Sequence, residues 1–173
     1  PLKIEDLLGR KPIKLDHPEI EEEMQGKVIL VTGAAGSIGS ELARQIARRH
    51  YKTLILLDQA ESALYDIQQS IKATQPEQMH CVVGDVRNYA FMQRIFAQYK
   101  PDLVFHAAAY KHVPLMEANP YESIQTNVLG SKNVADLCMH YGTKKMVMVS
   151  TDKAVNPTNV MGATKRMAEI YVS

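Results

Sequence analysis

Cysteine is scarce. The sequence holds two, Cys81 and Cys138, far apart and outside any CxxC or Cys/His cluster. No zinc-type ligand spacing exists, which argues against a metal site and for a reducing, cytosolic setting. No apolar run approaches the ~20 residues that cross a bilayer. The opening Pro-Leu-Lys-Ile-Glu-Asp does not have the form of a signal peptide. Charge of one sign is not in excess either: 20 Lys and Arg stand against 19 Asp and Glu, a formal net charge of +1, so nothing calls for nucleic acid, a membrane surface or an acidic partner. Internal repeats and low-complexity stretches are absent as well. What is present is enough apolar material for a core, 46% of 173 residues, in a length suited to one domain.

Residues 1–26 read as a polar N-terminal arm or linker. Leu2 to Leu8 suits a short helix stopped at Gly9, and the Lys11-Pro12 and His17-Pro18 pairs break structure after it. From Lys27 short apolar runs alternate with amphipathic ones. Strands are expected at Val28–Val31, Leu54–Leu57, His80–Val83, Leu103–Phe105 and Met146–Ser150. Helices are expected at Ser37–Arg49, Ser62–Ala73, Tyr89–Tyr99, Pro120–Tyr141 and Val160–Val172. Fully apolar strands separated by amphipathic helices indicate a parallel sheet covered on both faces. Right-handed crossovers then make 27–173 an α/β, doubly wound Rossmann domain. The sequence stops on the helix after the fifth strand, so the expectation is a chain truncated before its substrate domain.

After the first strand comes Thr32-Gly33-Ala34-Ala35-Gly36-Ser37-Ile38-Gly39, a GxxGxxG spacing that runs from strand into helix. Gly33 permits the tight turn, Gly36 a close approach of pyrophosphate, and Gly39 close helix–strand packing. Backbone N–H groups at Ala35 and over Ser37–Ile38 would face the phosphates. Asp58 ends the second strand about 20 residues on, where a carboxylate accepts from ribose hydroxyls and repels a 2′-phosphate. NAD is therefore favoured over NADP, although Arg48 and Arg49 lie nearby in sequence. Asp85 and Val86 follow the third strand, where Asp85 suits the adenine amino group. Ala107, Ala108 and Ala109 follow the fourth, where small residues leave room for a cofactor. Singly, each has a plain alternative: the aspartates as strand-end caps, the alanines as core. Their occurrence in order at successive strand ends favours the dinucleotide site.

The fifth strand ends in Ser150-Thr151-Asp152-Lys153, at the sheet end where open α/β folds bind ligands. Four stretches carry a specific resemblance: TGAAGSIGSELARQ at 32–45, HAAAYKHVPLMEANP at 106–120, TNVLGS at 126–131 and STDKAVNPTNVMGATKR at 150–166. The sequence resembles an extended short-chain dehydrogenase/reductase. Within that superfamily it is similar to the CapD-type polysaccharide biosynthesis proteins, which are UDP-N-acetylglucosamine 4,6-dehydratases. The likeness runs from about Gly26 to the end, and IEDLLGR at 4–10 resembles the segment before the catalytic domain of the large, membrane-anchored members.

The superfamily uses a Tyr-xxx-Lys pair, whereas this sequence has Met161 and Lys165 at those positions. A thioether cannot take the hydroxyl proton. The large CapD-type dehydratases share the Met-xxx-Lys arrangement, so the departure from the superfamily matches the subfamily. The resemblance implies NAD as cofactor, with Lys165 on its ribose. It implies Lys153 as the base at C5, Asp152 as the acid at C6 and Thr151 on the C4 oxygen. The C4 proton acceptor is left open between Asp152 and a water relay. To act as a base near pH ~7, a lysine of ordinary pKa ~10.4 needs about 4 kcal/mol of differential interaction. Asp152 must conversely be raised to donate a proton. Lys111 and His112, after the fourth strand, are candidates for contact with the sugar or its diphosphate. The resemblance further implies a UDP-sugar substrate, homo-oligomers, and a cytoplasmic-side location with an inner-membrane anchor elsewhere in the parent protein.

Other residues read as structural. His106 and His112 are six apart without a third ligand, and His106 suits a hydrogen-bonded strand end. Asn127 suits support of the active-site backbone. A UDP-sugar 4-epimerase shares the fold but normally keeps the tyrosine that Met161 replaces. A non-catalytic NAD module would need neither Asp152 nor Lys153.

Overall fold

β-Branched and leucine-rich runs form five parallel strands: β1 (Val28–Thr32), β2 (Thr53–Asp58), β3 (Met79–Val83), β4 (Leu103–His106) and β5 (Lys145–Met148). The computed structural model describes residues 18–173, so the helix expected over 2–8 lies outside the described residues. Strand order is β3-β2-β1-β4-β5, the doubly wound arrangement. β1 pairs with β2 from Val28↔Thr53 to Thr32↔Leu57 and with β4 from Ile29↔Leu103 to Thr32↔His106. The chain reverses its direction of winding between β1 and β4, which opens a crevice at their carboxyl ends.

Period-two alternation sends successive β1 side chains to opposite faces, and both faces are covered. On one face Ile29, Val31, Leu54 and Leu56 pack with Ala43, Ile46 and Ala47 of α2 (Ser37–Ala47) and Leu64 and Ile67 of α3 (Glu61–Ser70). On the other, Val28, Leu30, Ile55 and Leu57 meet Met92, Ile95 and Phe96 of α4 (Tyr89–Tyr99) and Val134 and Leu137 of α7 (Ser131–Tyr141). Each fully buried aliphatic side chain stabilises the fold by about 1.5–3 kcal/mol relative to exposure.

Four features differ from the sequence expectation. The segment read as an arm carries helix α1 (Pro18–Met24), whose Met24 joins the first core and whose Glu21 accepts from Arg49 at 3.2 Å and from the His50 amide at 3.1 Å. Too short to show periodicity, it is held by docking. The stretch after β4 forms an unanticipated helix α5 (Val113–Ala118), which ends at Asn119 (φ −135, ψ 60). The helix expected to run unbroken from Pro120 is instead α6 (Pro120–Ser123), a π-helical turn (Ile124–Gly130), and α7. β5 is shorter than expected because Ser150 onward turns away, although Val149 N still donates to His106 O at 2.9 Å. The chain ends in α8 (Val160–Val172). Among the described residues no helix is long and apolar enough to cross a membrane.

Candidate active site

The crevice at the carboxyl ends of β1 and β4 holds one groove with two halves, which share Gly36, Ala107, Ala109 and Tyr110. Its floor is glycine and alanine by necessity. Gly33 sits at φ +67, and a Cβ there would lie 2.5 Å from the Ala108 nitrogen. A Cβ on Gly39 would overlap the Gly33 carbonyl oxygen. Gly36 precedes α2 without a side-chain cap, so the first-turn N–H groups at Ser37, Ile38 and Gly39 are left without a side-chain acceptor at the groove.

The first half is lined by Gly33, Ala35, Asp58, Asp85, Val86 and Ala108. Asp58 is braced at both oxygens, Oδ2 accepting from Ala35 N and Oδ1 from Ala60 N, each at 2.9 Å. Arg49, which precedes β2 in the chain, is engaged by Glu21. Asp85 accepts from Arg87 N at 2.9 Å and Arg87 Nε at 2.7 Å. Burial pushes its carboxyl up, but these Arg87 hydrogen bonds outweigh burial and hold it below the usual carboxylate range. Thr126 carries no signal in the sequence. It lines this half at 5% exposure, and its Oγ1 has no hydrogen-bond partner. A threonine inside an expected helix gives no periodic cue. It sits in the π-helical turn described above.

The second half is lined by Ser37, Ile38, Lys111, Thr151, Met161 and Lys165, among others. Lys165, at 4% exposure, donates from Nζ to Val149 O at 2.7 Å. Burial pushes its ammonium down, partly opposed by Glu169. Met161 is buried one turn earlier on the same face of α8. Lys111 Nζ donates to Ser37 Oγ at 2.8 Å, which places a cation at the start of α2.

Asp152 and Lys153 form a short 3-10 turn, Asp152–Ala154, beside this half without lining it. Thr151 Oγ1 donates to Asp152 Oδ1 at 2.9 Å, and Lys153 Nζ lies 3.3 Å from the same oxygen. The turn rests on α8: a Cβ on Gly162 would collide with the Lys153 carbonyl. Asn159 caps α8 by accepting from Gly162 N at 2.8 Å, and Val160 N donates to Glu117 Oε1 at 2.6 Å. The expectation of a raised Asp152 carboxyl is corrected. The Thr151 hydroxyl and then Lys153 lower it, and with its side chain 86% exposed little burial opposes them. His112 is exposed and lines neither half; its carbonyl begins α5 by accepting from Met116 N at 3.0 Å.

Two buried groups hold the groove's walls. Asn127 Oδ1 accepts from Tyr110 N at 2.8 Å, and its Nδ2 donates to Tyr110 O at 3.0 Å and Thr164 Oγ1 at 3.1 Å. This is the backbone support expected of it. His106 is fully buried between Thr32 Oγ1 (2.6 Å from Nδ1) and Ser131 Oγ (2.9 Å from Nε2). Ser131 already donates to Asn127 O at 2.7 Å, so it accepts from His106. The histidine is therefore the Nε2–H tautomer, accepting from Thr32 at Nδ1. Burial, helped by the Lys165 charge, pushes it down to about 3, and it stays neutral.

Comparison with known proteins agrees with this geometry. The family described as polysaccharide biosynthesis protein matches residues 29–173. The capsular polysaccharide biosynthesis protein CapD of Staphylococcus aureus is 49% identical over 99% of this chain, which spans 29% of that protein. An inverting UDP-N-acetylglucosamine 4,6-dehydratase of Campylobacter jejuni is 40% identical over 81% of this chain and 41% of its own length. Among solved structures, the Bordetella bronchiseptica enzyme WbmG in complex with NAD superposes with a TM-score of 0.73 at 24% identity, covering 86% of this chain and 49% of that one. The chain thus spans less than half the length of these three proteins.

Proposed function

The chain belongs to the polysaccharide biosynthesis protein family, and on that footing we propose that it is the cofactor-binding part of an NAD-dependent 4,6-dehydratase acting on UDP-N-acetylglucosamine. The observation that carries this reading is a single groove joining a half braced by Asp58 and Asp85 to a half lined by Thr151, Met161 and Lys165. A similar Campylobacter protein is a dehydratase of that sugar nucleotide, and a protein of like fold binds NAD.

The residues present fit a dinucleotide. Asp58 stands ready for ribose hydroxyls, the uncapped start of α2 for pyrophosphate, and the orphaned Thr126 hydroxyl for a polar group in the first half. Bound there, NAD would supply the hydride chemistry, oxidation at sugar C4 and reduction at C6. Lys165, fixed by Val149 O, would hold the nicotinamide-side ribose. Thr151 would hold the C4 oxygen. Once C4 is a carbonyl, the C5 proton is acidic. Lys153 would take that proton and return one to C5 when hydride reaches C6. Asp152 would give one to the C6 hydroxyl as it leaves as water, the C4 hydroxyl proton having gone to Asp152 or to a water relay. Lys111, already at the start of α2, would meet diphosphate oxygens. The Asp152–Lys153 pair is open to water in the free protein, so the protonation of Asp152 has to come from the sugar covering it.

The chain spans 29% of the similar CapD protein, so turnover is tested on the full-length parent protein. With NAD and UDP-N-acetylglucosamine it should yield a product lighter by one water in its mass spectrum, while residues 1–173 alone should bind NAD weakly and form none. An isomer of unchanged mass would replace the dehydratase reading with an epimerase. For Thr126, replacement by valine removes an unpartnered hydroxyl at nearly constant shape. NAD affinity should fall about fivefold to tenfold, with the melting temperature unchanged or slightly raised. An unchanged Kd in calorimetric titration would remove Thr126 from the cofactor site.

A further inference from the structure

Arg87 stands just outside the groove, yet its guanidinium joins two of the groove's walls. Nε donates to Asp85 Oδ2 at 2.7 Å and Nη2 lies 2.6 Å from the same oxygen, while Nη1 donates to Glu122 Oε2 at 2.7 Å. Asp85 follows β3. Glu122 lies on α6, immediately before the π-helical turn that carries Thr126. The backbone of the same β3 loop is tied a second way, because Asn133 Nδ2 donates to Val86 O at 3.0 Å and Arg87 O at 3.1 Å. It is also packed without slack: a Cβ on Gly130 would come within 2.7 Å of Val86 Cγ2. Backbone ties therefore hold the loop, and the Arg87 side chain is left with a different task. It sets where the Asp85 carboxylate points.

We propose that Arg87 is a positioning residue for base recognition, locking Asp85 so that its free lone pairs accept from the exocyclic amino group of an adenine and disfavour a carbonyl at the same place. This deepens the dinucleotide reading and rests on it. Each Asp85 oxygen can accept more than one hydrogen bond, so Arg87 occupies the carboxylate without exhausting it. A planar fork fixes a carboxylate's orientation in a way a lysine ammonium does not. Glu122 supplies a second anchor, so that the fork does not swing with Asp85. Without the Arg87 side chain, Asp85 would keep only the residue-87 backbone N–H on Oδ1, so Oδ2 would lose its anchor and its charge at the pocket would no longer be matched.

The test is base discrimination, measured as the ratio of dissociation constants for NAD and nicotinamide hypoxanthine dinucleotide, which carries a carbonyl in place of the amino group. The unaltered protein should prefer NAD. Arg87→Ala should weaken NAD about tenfold and hypoxanthine dinucleotide far less, so that most of the preference disappears. Arg87→Lys should fall between, and Glu122→Gln should shift the ratio in the same direction by a smaller factor. An Arg87→Ala protein that binds both dinucleotides more weakly by one factor, with the preference intact, would overturn the proposal, since a purely structural residue behaves that way. If Arg87→Ala has no cooperative melting transition, the same ratio measured on Arg87→Lys and Glu122→Gln decides the question: a reduced preference supports the positioning role, and an intact one overturns it. Lack of preference in the unaltered protein would remove Asp85 from base recognition, and the proposal with it. That failure is recognisable because it precedes any substitution.

Discussion

In the full-length parent protein, replacing Lys153 by alanine is expected to lower formation of the dehydrated UDP-sugar by about a thousandfold, within the range for loss of a positioned general base. The lysine sits on a 3-10 turn whose backbone is seated on Gly162, with the Thr151 hydroxyl oxygen accepting from Lys153 N at 3.4 Å. The side chain itself is half exposed, and its ion pair is with the exposed Asp152. Truncation should therefore leave the melting temperature and NAD affinity close to those of the unaltered protein. The check is turnover followed by mass spectrometry, with a second run in heavy water. The unaltered protein should place solvent deuterium at C5 of the product, and the variant should not. A variant that still incorporates deuterium at C5 at an undiminished rate would show that another group removes that proton. The same experiment on Asp152→Asn separates the two roles. Loss of the acid slows departure of the C6 hydroxyl while leaving the C5 base in place.

The largest effect on stability is expected at Gly39. It lies in the first turn of α2 with an ordinary helical backbone, so alanine would suit its conformation. Space forbids it: the added carbon would overlap the Gly33 carbonyl oxygen and come within 3.1 Å of Ala34 Cα. Neither neighbour is a flexible side-chain end that can move away. Gly33 is itself pinned against Ala107 and Ala108, so the strain would spread into the crevice floor. Destabilisation of about 3 kcal/mol is expected from such overpacking, a fall in melting temperature of roughly 6–12 °C for a chain of this size. NAD binding should be lost in parallel. Gly142→Ala is the informative contrast. Its φ is +71 and nothing lies within 4 Å of an added Cβ, so only the conformational penalty of about 1–2 kcal/mol applies. Equal losses at the two positions would mean that the turn between β1 and α2 yields more readily than its close backbone contacts imply.

Much of the fold was legible in the chain because the signals are local. Val28–Thr32 is apolar at nearly every position, and only a strand covered on both faces uses such a run. Gly33, Gly36 and Gly39 appear at the spacing that a strand-to-helix turn under a pyrophosphate requires. Asp58 and Asp85 stand at strand ends, and the structure places both in one half of the groove. What was not legible depends on contacts between distant segments. Thr126 lines the groove from within the π-helical turn, which the sequence pattern does not announce. That wider turn accompanies the bonds from Asn127 to Tyr110 and Thr164, residues 17 and 37 positions away. The α1 helix is fixed by its contacts with Arg49 and His50 more than by its own composition. The protonation of Asp152 also lay beyond sequence reasoning. A pKa is set by solvent exposure and neighbouring charge, and both are tertiary facts.

The amino-acid sequence by itself determined the parallel sheet, the glycine-lined turn and the residues available for chemistry, since periodicity and spacing along a chain suffice to specify them. Only the tertiary structure decided which of those residues share one groove and that His106 stays neutral inside. It alone decided that Asp152 and Lys153 meet in water rather than in a dry pocket, and that Arg87 braces Asp85 against Glu122. Those outcomes turn on burial and on hydrogen bonds between residues remote in sequence, and these exist only once the elements have packed.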